Sequence, residues 1–239
     1  MKITAIMATC GRHFFCERSV GMFLAQKYEN KHLLIIQNSE VEQKLDKHYE
    51  NITLINKSGF TSLGAIYNYA LDFVPSDTDV FCLFDDDDMY MPEHMTEGAN
   101  GLIRGKKMAY KPKFSFFQVR EKISKANNVF EPSWFVNFEV VKEKKFREES
   151  NRHHYNWVEW CQKNKQLYVD ENGPSTLIYT WGNPERGVFK TSGHGKKPNV
   201  FELYREYSKD HGDGIITPNT KDQLDAIYEK FYKWQPEQS

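Results

Sequence analysis

The 239-residue sequence predicts a single α/β domain on a mainly parallel sheet. Three observations carry that expectation. Short apolar runs at residues 3–8, 33–36, 52–55 and 80–84 are near-continuous rather than alternating, as strands covered on both faces are. A strongly periodic helix lies between the third and fourth runs. Each run also stops in a polar cluster, and in such sheets ligands bind beyond the carboxyl ends of the strands.

Taken in order, residues 3–8 form a first strand stopped by Gly11. Cys16, Val20, Phe23 and Leu24 follow at helical spacing. Residues 33–36 and 52–55 are the next two strands, the first ended by Gln37, Asn38 and Ser39. Thr61 or Ser62 is placed to cap a helix whose Leu63, Ile66, Tyr67, Ala70, Leu71 and Val74 follow the i, i+3, i+4, i+7, i+8 series. Pro75 breaks it, and residues 80–84 deliver a fourth strand directly into Asp85, Asp86, Asp87 and Asp88.

The 32 Lys and Arg against 33 Asp and Glu give a net charge of -1, so the overall balance does not mark a polyanion binder. No apolar stretch approaches the roughly 20 residues of a membrane-spanning helix, and the start reads as a strand rather than a signal peptide. Cys10, Cys16, Cys82 and Cys161 are widely spaced, which signals neither a disulfide framework nor a zinc site and fits a cytoplasmic compartment. Aromatic residues make up 15% of the chain, a surplus with a recognition surface as one outlet, at residues 110–117 and 134–160.

Four adjacent aspartates usually form a solvated loop. Attached to an apolar strand, however, they concentrate like charge at the core edge unless a cation offsets it. Carboxylates without nearby Cys favour Mg²⁺ or Mn²⁺, which typically keep one or two carboxylates and fill other positions with water and phosphate oxygens. No EF-hand frame supplies both the Gly and the Glu that such a loop needs. An aspartyl phosphatase motif would sit on the first strand and continue differently.

The ordered set Ile6-Met7-Ala8-Thr9-Cys10-Gly11-Arg12, Phe23-Leu24-Ala25-Gln26-Lys27-Tyr28, Leu34-Ile35-Ile36-Gln37-Asn38-Ser39, Gly64-Ala65-Ile66-Tyr67-Asn68 and Phe84-Asp85-Asp86-Asp87-Asp88-Met89-Tyr90-Met91-Pro92 resembles the GT-A glycosyltransferases of the family 2-like group. The resemblance implies a nucleotide-sugar donor, with a UDP-sugar favoured by family alone, and a hexosyl- or pentosyltransferase activity dependent on Mn²⁺ or Mg²⁺. It implies a donor-binding half over residues 1–98 and an acceptor-binding half over 99–239 of the same domain. By position, Asp85 and Asp87 match the metal-holding DXD carboxylates, with Asp85 shared with the ribose, and Asp86 or Asp88 faces the donor sugar. Thr9 and Arg12 match a first loop that contacts base and phosphate, with an ordinary ion pair as the alternative for Arg12. Asn38 and Asn68 match positions near the nucleotide, although the family often has an acidic residue where this chain has Gln37-Asn38.

In the second half, residues 101–126 are strongly basic with interleaved aromatics. A lysine-guarded edge strand accounts for the pattern. The sharper alternative is an acceptor groove for modified DNA, beside a glycan or small-molecule acceptor. Residues 134–141 read as a strand entering a helix. His153-His154 stands where many inverting relatives carry Glu-Asp, so His154 is a candidate general base, with Glu159 or Glu149 as alternatives. By the same resemblance, Lys190 and His194 fall in a C-terminal loop over the donor, with Lys190 at the diphosphate and His194 at the metal. Leu224, Ile227, Tyr228 and Phe231 form an amphipathic stripe. A nucleotide-binding protein without activity is the reading from a different class.

Overall fold

The computed structural model describes residues 1–119, 122–129, 131–150, 152–181, 212–218 and 225. Five strands and two helices build the first half: β1 (Ile3–Thr9), α1 (His13–Leu24), β2 (Lys31–Gln37), the short β3 (Lys44–Leu45), β4 (Ile52–Asn56), α2 (Leu63–Leu71) and β5 (Val80–Leu83). Every residue of β1 and β5 is buried, which is why their sequences run apolar without alternation. β1 pairs in parallel with both β2 and β5, and β2 with β4.

The chain continues through β6 (Met89–Tyr90), α3 (His94–Gly105), β7 (Ala109–Pro112), β8 (Phe114–Val119), β9 (Lys122–Asn127), β10 (Phe135–Asn137), α4 (Phe138–Lys144), α5 (Tyr155–Lys163), β11 (Leu167–Asp170), β12 (Leu177–Trp181) and β13 (Ile215–Ile216). The main sheet has seven strands in the order β11-β7-β10-β5-β1-β2-β4, parallel except where β10 runs against β5 and β7. A second sheet, β6-β12-β8-β9, receives the acidic loop from one side. Its edge strand β9 carries Lys125, whose ammonium stands 4.8 Å over the Phe114 ring, so this part of the basic tract is a guarded sheet edge.

α3 shows a packing device that its composition hides. Gly98, Gly101 and Gly105 form a bare stripe, and a Cβ on each would stand 2.4, 2.3 and 2.4 Å from Phe135, Tyr110 and Tyr168 respectively. These rings belong to β10, β7 and β11, so the helix lies across three neighbouring strands with one ring seated at each glycine. The expected aromatic acceptor surface is corrected accordingly: Tyr110, Phe116, Trp134, Phe135 and Trp157 are buried, because this half of the sheet is filled by rings rather than by aliphatic side chains.

His94, at the start of α3, is buried against Phe135 and Tyr90, and its Nδ1 lies 2.8 Å from Thr176 Oγ1. Burial pushes its pKa down to about 3. The folded form therefore stays neutral while the unfolded chain takes up a proton near pH 6.5, so this contribution to stability is complete above about 6.5 and is lost as pH falls. In denaturant titrations, His94→Gln should lose about 2–3 kcal/mol less than the parent between pH 7 and 4.5. Equal losses would contradict the assignment.

The helix α2 is capped by Ser62, whose Oγ accepts from Ala65 N at 3.2 Å. Its second residue, Gly64, lets the loop before α5 approach the helix backbone: Gly64 N donates to Glu149 O, and a Cβ here would meet Arg147 O at 1.7 Å. Asn68, one turn on, clips the same loop by donating to Phe146 O (2.9 Å) and accepting from Phe146 N (2.8 Å). Since the obstacle is backbone, Gly64→Ala should reach or exceed the upper end of the roughly 1–3 kcal/mol typical of overpacking, read as a lowered urea midpoint. An unchanged midpoint would show that the loop can step aside.

Candidate active site

β5 ends at Leu83, and Phe84 stacks on Tyr90 at 3.8 Å while its N–H still donates to Ile6 O. From there the carboxylates alternate. Asp86 and Asp88 are buried, whereas Asp85 and Asp87 are half-buried. One pair is keyed into the protein and the other stays partly exposed to solvent.

Asp86 is the anchor. Thr9 Oγ1 donates to it at 2.7 Å, Arg12 Nε at 3.0 Å, and a second guanidinium nitrogen of Arg12 also donates to it. The third nitrogen of Arg12 reaches Asp87 at 2.9 Å. From α1, Ser19 Oγ donates to Asp86 O at 2.8 Å, and Arg18 donates to Asp86 O and Asp88 O at 3.2 and 3.3 Å. Asp88 ties the loop to the second sheet, accepting from Thr180 N at 2.8 Å. Its other oxygen is buried without a hydrogen-bond partner among the described residues. Asp85 accepts from the Tyr67 hydroxyl at 3.1 Å, and its own N–H donates to Tyr90 OH at 2.7 Å.

Electrostatically the loop is loaded. Burial, reinforced by Asp87 and Asp86, pushes Asp85 up to about 8. Burial raises Asp86 to about 6 against the pull of Arg12, and it raises Asp88 well above the carboxylate range. Among the described residues, no group of three or more His, Cys, Asp or Glu is arranged to hold a metal. Two partly exposed carboxylates and a third with an oxygen unpartnered among the described residues nevertheless fit a hard divalent cation that takes its remaining ligands from water and phosphate.

The other residues expected from the sequence are distributed as follows. Thr9 and Arg12 both reach the loop, but through Asp86, so for Arg12 the ion pair is the observed arrangement. Asn38 clips a loop, donating to Phe60 O and accepting from Phe60 N, each at 3.2 Å. Asn68 does the same to Phe146, so both ends of each amide are already engaged with backbone. Glu159 lies on α5, paired with Arg147 at 3.3 Å and Lys163 at 3.5 Å, not with the acidic loop. His154 is buried at the start of α5, where its neighbour His153 stacks on Tyr67. Lys190, His194 and the stripe from Leu224 to Phe231 lie outside the described residues.

Sequence reasoning missed Arg18, Ser19 and Thr180 as supports of the acidic loop. It read Tyr67 only as a core residue, although a tyrosine in a helix stripe carries a hydroxyl that needs a partner when buried.

Against solved structures, the chain superposes on S. aureus TarS residues 1–349 with a TM-score of 0.61 at 12% identity, covering 98% of this chain and 73% of that one. The complex of that fragment with UDP-GlcNAc gives a TM-score of 0.57 at 10% identity over the same shares. A mannosyltransferase from Pyrobaculum calidifontis, in complex with GDP-Man and Mn²⁺, gives 0.55 at 10% identity, covering 78% of this chain and 58% of that one. This chain has the GT-A glycosyltransferase fold. In GT-A terms, the acidic loop stands at the carboxyl end of the sheet, next to the reversal between β5 and the antiparallel β10. No protein-family profile and no curated protein matches the sequence.

Proposed function

We propose that the protein is a metal-dependent glycosyltransferase that moves a sugar from a nucleotide-sugar donor to an acceptor hydroxyl. The observation that carries the reading is the split of the acidic loop. Asp86 and Asp88 are buried and spent on anchoring, whereas Asp85 and Asp87 stay partly exposed, each held by one side chain, Tyr67 and Arg12. The nucleotide sugars and Mn²⁺ bound by the structural neighbours support it.

On this reading residues 1–98 bind the donor and 99–239 the acceptor. Asp85 and Asp87 hold Mn²⁺ or Mg²⁺, which when bound neutralises the diphosphate of the leaving nucleotide. The chain's own contribution is positional. Arg12 fixes Asp86 and Asp87 with one guanidinium, Tyr67 orients Asp85, and the carbonyls of the loop are held from α1 by Arg18 and Ser19. Such preorganisation is what allows a charged leaving group to be met without rearrangement.

A glycan or small molecule is the acceptor this arrangement favours. Of the lysines that would track a DNA strand, Lys111 donates to Asn128 O at 2.6 Å and stands over Trp134, and Lys113 pairs with Glu171. Both ammonium groups thus have partners within the chain.

The test is a panel of UDP- and GDP-sugars with Mn²⁺, Mg²⁺ or chelator, with release of nucleoside diphosphate as the readout. Turnover of at least one donor, abolished by chelator, is expected. Binding of a donor without turnover would overturn the reading in favour of a non-catalytic nucleotide binder, and failure of every donor to bind would overturn both.

A further inference from the structure

One carboxylate near the acidic loop belongs neither to that loop nor to the helix start where relatives carry theirs. Between β9 and β10 the short turn Glu131–Ser133 packs against β5. Glu131 Oε1 lies 2.7 Å from His154 Nε2, at the start of α5. The two members differ in access: the His154 side chain is 8% exposed and that of Glu131 28%. The imidazole is therefore sealed in behind, and the carboxylate is the member that meets solvent.

The location ties this pair to the donor side. Glu131 is close enough to Asp85 for its charge to add to the upward push on that carboxyl. His153, adjacent to His154, stacks on Tyr67 at 5.2 Å, and Tyr67 donates to Asp85. The charged and titratable neighbours of Glu131 are thus His154, His153, Lys111 and Asp85. Burial acts to raise Glu131, but the hydrogen bond and charge of His154 hold it below the usual range, so it is a carboxylate at neutral pH. Partly withdrawing a carboxylate from water costs desolvation, and placing one beside the acidic loop is unrewarding for stability alone.

We propose that Glu131 is the general base for the acceptor hydroxyl and that His154 is its positioning residue, which rests on the glycosyl-transfer reading above. The acceptor O–H proton passes to the Glu131 carboxylate as the acceptor oxygen bonds to the anomeric carbon. The bond from that carbon to the diphosphate oxygen breaks, and its electron pair leaves with the nucleoside diphosphate. A single displacement of this kind inverts the anomeric configuration.

Glu131→Gln keeps the shape and a partner for His154. With a donor and acceptor that the parent turns over, its kcat should fall by about 10²–10⁴-fold. Donor KM, Mn²⁺-dependent binding of the nucleoside diphosphate and the melting temperature should stay near parental values. Glu131→Asp, which keeps the charge but withdraws it by one methylene, should retain part of the activity with parental stability. His154→Gln should shift the acidic limb of the kcat profile to higher pH, because the carboxylate loses the imidazole that holds its pKa down. Parental kcat in Glu131→Gln, or a product that retains anomeric configuration, would overturn the proposal while the glycosyl-transfer reading stands. A parent protein that turns over no donor would overturn both.

Discussion

Asp87→Ala should lose donor turnover by about 10³-fold or more while the protein keeps, or slightly gains, stability. The two halves of this expectation come from the same geometry. Asp87 is half-buried, and among the described residues its side chain bonds to one nitrogen of Arg12, whose other two nitrogens remain on Asp86 after the change. The anchor of the loop therefore survives. Asp87 also pushes Asp85, Asp86 and Asp88 upward in pKa, so its removal relieves repulsion on three buried or half-buried carboxyls. A residue kept despite that repulsion is better explained by a ligand than by folding. Nucleoside diphosphate release, Mn²⁺ titration by calorimetry and thermal melting should be run on one preparation. Parental turnover would remove Asp87 from the metal site. Lost turnover together with a large drop in melting temperature would make it a structural residue.

The elements that could be read from the sequence are those whose partners are implied by their own pattern. Residues 3–8 and 80–84 run near-continuously apolar because both faces of β1 and β5 are covered, although the edge strand β4 carries a similar run at 52–55 while only Ile52 of it is buried. The Ser62 cap and the stripe of α2 are local signals of the same kind. The second sheet escaped because β12 pairs with β6 and β8, about 60–90 residues earlier, and nothing in the local pattern names such partners. α3 escaped for the opposite reason. Three glycines lower helix propensity, and their purpose appears only once Phe135, Tyr110 and Tyr168 are seen resting on them.

The site divides along the same line. That the acidic run follows a buried strand was visible; which carboxylates face inward depended on Thr9, Arg12 and Thr180, whose contacts are tertiary. Glu131 had no local mark at all, since its significance comes from His154, on an element 23 positions later, and from the nearness of Asp85.

Arg12→Ala should destabilise the protein by about 3–5 kcal/mol, the cost typical of stranding one member of a buried ion pair. Asp86 is fully buried, and among the described residues its carboxylate would retain the Thr9 hydroxyl alone. Arg12→Lys should recover little of this, because an ammonium cannot reproduce the fork that reaches both oxygens of Asp86 and one of Asp87. The pH dependence has a definite sign. Without Arg12, burial lifts the Asp86 carboxyl further above its unfolded value, so the deficit shrinks as pH falls from 8 toward about 6, where the parent's own Asp86 also takes up its proton. A deficit that is constant with pH would mean that the lost energy is packing rather than charge. Replacing both partners by apolar residues, as in Arg12→Met with Asp86→Leu, should restore most of the stability, since neither charge is then left stranded. That double variant should still fail in turnover. The ties from Thr9 and Arg12 to position 86 would be gone, and Asp87 would lose the guanidinium that sets its direction, although Ser19, Arg18, Thr180 and Tyr67 still hold the rest of the loop. Urea denaturation at several pH values, with Mn²⁺ affinity measured on the double variant, separates the two roles of Arg12: neutralising Asp86, and aiming the carboxylate beside it.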